Sequence, residues 1–246
     1  MKEFRIADTF TDSLSRLTAQ EQKAVKTTAF DLQLDASAPG MKFHRLDKAR
    51  DPNFWSVRVN ADIRLIVHRT EASLLLAFVD HHDDAYRWAE RRKIERHPTT
   101  GAMQLVEVRE RVEEVQVFKP KEVAEPVAAT PEAKPKLFDN LRKFELMAFG
   151  VPEEWVNDVR LATEDTLFDI ISHLPQEAQE ALLKLAVGEM PEPSRAATVE
   201  ADPFAHPDAQ RRFRVLTNVE ELARALDYPW VKWAVFLHPD QLHYVE

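Results

Sequence analysis

Alternation of period two runs through two neighbouring segments of this chain and predicts a β-hairpin whose register can be read residue by residue. In Phe54–Asn60, Trp55, Val57 and Val59 alternate with Ser56, Arg58 and Asn60; in Ile63–His68, Ile63, Leu65 and Val67 alternate with Arg64 and His68. If Asn60-Ala61-Asp62 turns the chain, matching apolar to apolar sets Val59 opposite Ile63, Val57 opposite Leu65 and Trp55 opposite Val67. Arg58 then faces Arg64. Directly opposed like charges are unfavourable in a sheet, so the pair implies either an anion such as a phosphate or a neighbouring carboxylate between them. A solvated sheet face with carboxylates nearby satisfies the same pattern.

The flanking pattern predicts an α+β unit. Phe4–Ala7 reads as a short strand, followed by two helical stretches. Thr18-Ala-Gln-Glu21 opens the second with capping-box spacing, and Val25, Ala29 and Leu32 mark its apolar side. Asp35–Gly40 breaks that helix, Met41–Leu46 reads as a strand, and Leu74–Val79 is a third apolar run that passes into a helix. The order through residue 97 is therefore β, α, α, β, β, β, α.

The junction after Leu74–Val79 concentrates titratable groups: Asp80, His81, His82, Asp83, Asp84, Tyr86 and Arg87. His81, His82, Asp83 and Asp84 could supply metal ligands, with His44 or His68 as remote partners. Adjacent residues leaving a strand point in different directions, however, and a loop in which Asp83 or Asp84 serves as N-cap of the next helix explains the cluster more simply.

These residues together resemble the RelE/ParE toxin superfamily: a helical hairpin, the arginine-bearing hairpin WSVRVNADIRLIV, and a last strand running into HHDDAYRWA. The resemblance spans roughly residues 1–97 and implies an antiparallel sheet with a helical hairpin. Members of the RelE branch cleave mRNA on the ribosome without a metal, and members of the ParE branch act on gyrase. Carried over by position, the resemblance implies that Arg58 and Arg64 clamp a phosphate, with Lys48 as a further nucleic-acid contact, while His82 or Tyr86 moves a proton. Ser56 and His82 stand where RNA-cleaving members commonly carry basic side chains, and Asp83 and Asp84 adjoin the site.

Composition narrows the classes. The longest apolar run, Leu74–Val79, has six residues, against the ~20 that a membrane-spanning helix needs, and MKEFRIADTF has no signal-peptide core, so a cytoplasmic location is expected. With no cysteine, disulfides, thiolate nucleophiles and Cys-based zinc sites are excluded. Residues 1–97 hold 17 basic and 15 acidic side chains and the remainder 16 and 27. The acidic half therefore argues against nonspecific nucleic-acid binding there and is compatible with a basic protein partner.

Beyond residue 97, Gln104–Phe118 mixes Val and Glu in a pattern that fits strand or helix. Lys119–Lys136 is Pro/Ala/Glu-rich and reads as a tether, so residues 98–136 are expected to form a linker. Residues 137–190 read as a small helical domain, with Leu137, Leu141, Phe144 and Met147 on one apolar side, Trp155, Val156 and Val159 on the next, and Ala178, Ala181, Leu182, Leu185 and Ala186 before Gly188. Residues 191–212 read as a connector and 213–246 as a helical lead-in, capped at Thr217 or Asn218.

The ending FLHPDQLHYVE is similar to the adenine-reading Q motif of UvrD-like superfamily 1 helicases, with Gln241 as the nucleotide-reading amide. The chain contains no GxxxxGK[ST] loop, so no cofactor is expected in it. ATP and magnesium would enter only if it continues into a motor. The combined organisation resembles the N-terminal region of bacterial UvrD-like helicases that carry a toxin-fold domain, which implies an N-terminal fragment. Two functions are then open: a regulatory or recognition region that binds RNA, DNA or a protein partner through Arg58 and Arg64, or a ribosome-dependent endoribonuclease. Ser56, His82 and the low basic charge favour the first.

Overall fold

A computed structural model describes residues 3–36, 41–108, 134–194 and 202–227. The chain divides into two compact units, residues 1–107 together with 193–246, and residues 108–192.

The first unit is built on a six-stranded sheet. Strand β1 (Glu3–Ala7) leads into helices α1 (Asp8–Arg16) and α2 (Ala19–Asp35). Strands β2 (Phe43–Arg45), β3 (Phe54–Arg58), β4 (Ile63–Arg69) and β5 (Ser73–His81) follow as a meander, and α3 spans His82–Glu90. Thr18 caps α2 reciprocally with Glu21, as the sequence spacing predicts, and Val25, Ala29 and Leu32 are buried. The predicted hairpin register also holds: Trp55 pairs with Val67, Val57 with Leu65 and Arg58 with Arg64. The Asn60 side chain accepts from the Asp62 and Ile63 amides at 2.9 and 2.8 Å, which fixes the turn.

Four features correct the sequence reading. The sheet is mixed rather than antiparallel, because β1 lies parallel to β5. The helix expected to run toward residue 97 stops at Glu90, and β6 (Arg92–Arg96) pairs with β7 (Met103–Glu107), so a strand occupies part of the expected linker. Phe213–Val215, expected at the head of a helical segment, is strand β8, which pairs antiparallel with β1 and completes the order β2-β3-β4-β5-β1-β8. The helix α3 has His81, not Asp83 or Asp84, at its N-cap, and both aspartates sit in its first turn, where they favour the positive end of the helix dipole.

Both faces of this sheet are covered. On one, Ile6, Val57, Leu65, Val67 and Leu76 pack under α1 and α2. On the other, Phe54, Ile66, Leu75 and Phe78 pack under Ala85, Trp88 and Ala89 of α3 and under Ile94 and Leu105 of the β6–β7 hairpin. Hence β5 is buried along almost its whole length, as a continuous apolar strand requires.

The ladder between β1 and β5 ends at Leu76, and α1 supplies the next partners. Thr9 Oγ1 donates to the Ala77 carbonyl at 2.6 Å, and the Val79 amide donates to the buried Ser13 Oγ at 3.0 Å. Ser13→Ala is expected to leave that buried N–H without an acceptor and cost about 1–3 kcal/mol, read as a lower urea midpoint. An unchanged midpoint would show that the hydroxyl is dispensable.

The second unit is helical, as its periodicity predicts: α4 (Lys143–Ala148), a 3-10 turn at Glu153–Trp155, α5 (Val156–Leu161), α6 (Leu167–Ile171) and α7 (Gln176–Ala186). Trp155, Val156, Val159, Ala178, Ala181 and Leu182 are buried as expected. Phe144, expected on the apolar side, is 59% exposed, and Phe138, Leu146 and Phe149 fill that core instead. Gly150 ends α4 with φ 83°, a left-handed position where a side chain would be strained.

In the C-terminal part of the first unit a 3-10 turn at Pro203–Ala205 and the single turn α8 (Pro207–Gln210) precede β8, in what the sequence presents as a connector. After β8, the Asn218 side chain caps α9 (Val219–Asp227), while Glu221 accepts from Thr217. The Q-motif-like segment with Gln241 lies outside the described residues.

Candidate nucleic-acid interface

Hairpin geometry brings the two predicted arginines to a single acceptor. Arg58 Nε donates to the Asn60 carbonyl at 3.0 Å, and Arg64 Nη1 donates to the same oxygen at 3.1 Å. Arg64 also reaches the Ala61 and Ile63 carbonyls. No carboxylate separates the guanidinium groups; backbone carbonyls of the turn do. Among the described residues Arg58 commits only Nε, so its terminal amino groups remain available as a bidentate fork of the kind that matches phosphate oxygens.

Among the described residues, the lysines and arginines of the whole β2–β4 region are without ion pairs. Lys42, Arg45, Lys48, Arg50 and Arg58 are exposed and Arg64 and Arg69 half-buried, and among the described residues none has a carboxylate within ion-pair distance. The nearby acids are engaged with histidines or exposed. Asp51 is buried against His68, and Asp62 bonds His81. Asp80 is in register with Arg64 across the β4–β5 ladder yet forms no ion pair with it.

Of the candidate proton-moving residues, Tyr86 and His82 are one turn apart on α3 with ring centroids 4.3 Å apart. Tyr86 Oη lies 3.0 Å from Ser56 Oγ, and Ser56 is fully buried, two residues before Arg58 on the same face of β3. Ser56 is thus a seat for the tyrosine rather than part of an open surface. His82 Nδ1 is 2.8 Å from Asp83 Oδ1. Among the described residues no hydrogen bond joins His82 or Tyr86 to either arginine.

The turn is tied to α3 through Asp62. Its carboxylate is 2.5 Å from His81 Nδ1. Hydrogen bonding with Asp62 raises the His81 pKa, and hydrogen bonding with His81 lowers that of Asp62, aided by the His82 amide. Lys48 lies elsewhere: it sits on the turn from β2 to β3, at the opposite end of β3 from Arg58. The structure does not bring Lys48 to the arginine pair.

The remaining histidines of the metal hypothesis do not converge. His44 is exposed on β2, His68 is buried beside Asp51, and among the described residues no group of three His, Asp or Glu side chains could hold a metal ion. The Asp51–His68 pair escaped the sequence reading. Asp51 Oδ2 accepts from His68 Nε2 at 3.3 Å and from the Ile94 amide at 2.9 Å, while Oδ1 accepts from the Asn53 amide. The only hint was that His68 falls on the same face as Phe54 and Ile66. Among the described residues, no helix is long and apolar enough to cross a membrane.

No protein-family model matches the chain, and no curated protein matches it. A solved RelB–RelE antitoxin–toxin complex from Methanococcus jannaschii is weakly similar, at 15% identity and a TM-score of 0.29, over 34% of this chain and 95% of that chain.

Proposed function

We propose that the first unit recognises nucleic acid, with phosphates held by Arg58 and Arg64 and by the basic edge of β2. One observation carries this reading. In a chain of net charge −9, seven basic side chains between Lys42 and Arg69 have no carboxylate within ion-pair distance among the described residues, although the charge of Arg64 acts on Asp62. Cations without ion pairs leave positive potential along both faces of the β2–β4 edge, and a polyanion relieves it.

Recognition fits better than cleavage, because Tyr86 is engaged with Ser56 and His82 with Asp83, so neither proton-moving group is aligned with the arginine pair. The RelE-type endoribonuclease remains the second reading, supported by the His82–Tyr86 stack on the helix that the Asp62 turn contacts. The Q-motif-like sequence supports placing this unit in the N-terminal region of a UvrD-like helicase. A Gly-Lys-Thr or Gly-Lys-Ser loop downstream in the coding frame would support that placement, and a stop codon would remove it.

The test is fluorescence anisotropy of the full chain with a labelled oligonucleotide over a salt series, and the same mixtures run on a denaturing gel. Binding should weaken linearly in log–log form as salt rises, with the oligonucleotide intact. Salt-independent binding or none would sink the reading, and specific cleavage products would promote the endoribonuclease.

A further inference from the structure

The side of the β2 edge opposite Arg58 and Arg64 carries a second group that the phosphate contacts do not use. Strand alternation puts Phe43 and Arg45 of β2, Trp55 of β3 and Arg69 of β4 on one face, with Arg45 in register with Trp55 and Trp55 with Val67. The Arg69 guanidinium lies over the Phe43 ring at 4.6 Å and near the Trp55 ring at 5.7 Å. Both rings are half-buried at the rim of the core that fills this face of the sheet.

An arginine stacked on aromatic rings closes such a rim while keeping its charged head at the surface. Here the rings are covered by an arginine, and β2, three residues long, is the last strand of the sheet among the described residues. Arg45, Lys48 and Arg50 are exposed alongside, without ion pairs among the described residues. Half-buried aromatic rings at the rim of a core, with a guanidinium stacked on them and cations without ion pairs alongside, suit a nucleotide whose base stacks while its phosphates meet the cations.

We propose that Phe43, Trp55 and Arg69 form a stacking platform for an unpaired base, so that this protein prefers single-stranded nucleic acid to duplex. The inference rests on the nucleic-acid reading above. A paired base offers neither of its faces, because neighbouring base pairs cover both. A single strand following the β2 edge meets the phosphate-binding arginines on one side of the sheet and the platform on the other.

The test uses the full chain and labelled strands of about 12 nucleotides, as DNA and as RNA, each alone and annealed to its complement. Single strands of either sugar are expected to bind about ten-fold tighter than duplex. Phe43→Ala should erase most of that preference and leave duplex affinity unchanged, Arg69→Gln should erase it while also weakening duplex binding through the lost cation, and Phe43→Tyr should keep it. Thermal melts by circular dichroism identify a variant that has merely unfolded, and Phe43→Tyr and Arg69→Gln then carry the comparison. Equal affinity for single strand and duplex, or single-strand affinity unmoved by Phe43→Ala and Arg69→Gln, would overturn the platform while leaving salt-dependent binding, and the nucleic-acid reading, in place. Failure of every strand to bind would overturn both.

Discussion

Replacing Arg58 and Arg64 together by alanine is expected to weaken oligonucleotide binding about 100-fold and to lower the slope of log affinity against log salt by about two. A charge-assisted hydrogen bond contributes roughly 1.5–3 kcal/mol, which is about ten-fold or more per arginine, and each phosphate left without its cation reduces the salt slope by about one. Folding should hardly change, within about 0.5 kcal/mol, because the hydrogen bonds removed are mostly exposed bonds to turn carbonyls and the double change removes a like-charge pair. Arg58→Lys discriminates further. Lysine keeps the charge but not the fork, so an intermediate affinity with a restored salt slope is expected if Arg58 grips phosphate in bidentate fashion. A double alanine variant that binds as tightly as the parent, with the same salt slope, would remove these residues from the interface.

The hairpin that carries the pair was legible because period two and a three-residue turn leave one register that keeps the apolar positions together, and the ladder has it. What alternation could not show is that the other face is also covered. Ser56 and His68 read as polar, hence solvated, yet both are buried, since α3 and the β6–β7 hairpin close over them. That hairpin was hidden by its own composition. In Arg92–Arg96 the single aliphatic residue is Ile94, and the cross-strand pair of Arg92 with Glu107 that steadies it joins residues the sequence assigns to a helix and to a linker.

Strand β8 was illegible for a different reason. Three residues carry no period, and what makes them a strand is the edge of β1, more than 200 residues earlier in the chain. The same edge collects a buried arginine: Arg5 pairs with Glu3 and Asp202 and lies under the Phe204 ring at 3.9 Å. Long-range closure of this kind depends on packing, so truncating the chain at residue 97 would remove β7, β8 and α9 and expose the β1 edge. For that reason the binding tests belong on the full chain.

Asp51→Ala is expected to be more destabilising than any of the other substitutions, at about 3–5 kcal/mol. Asp51 is 4% exposed and gathers three donors: the Ile94 and Asn53 amides and the His68 ring. Alanine orphans all three in a place water does not reach, and it frees the loop that carries Lys48 and Arg50 from the β6–β7 hairpin. Burial alone would push this carboxyl up, but the hydrogen bonds from His68, Ile94 and Asn53 outweigh burial and hold its pKa below the ordinary aspartate range. The stabilisation is fully present above the ordinary, unfolded pKa and is lost as pH falls through the lowered folded one, so acid unfolding of the parent should include a component that Asp51→Asn lacks. Amide exchange at Ile94 gives the local readout: it should accelerate in Asp51→Ala well beyond the change at β3 and β4, and an Ile94 amide that stays protected would show that the hairpin is held by its apolar contacts alone.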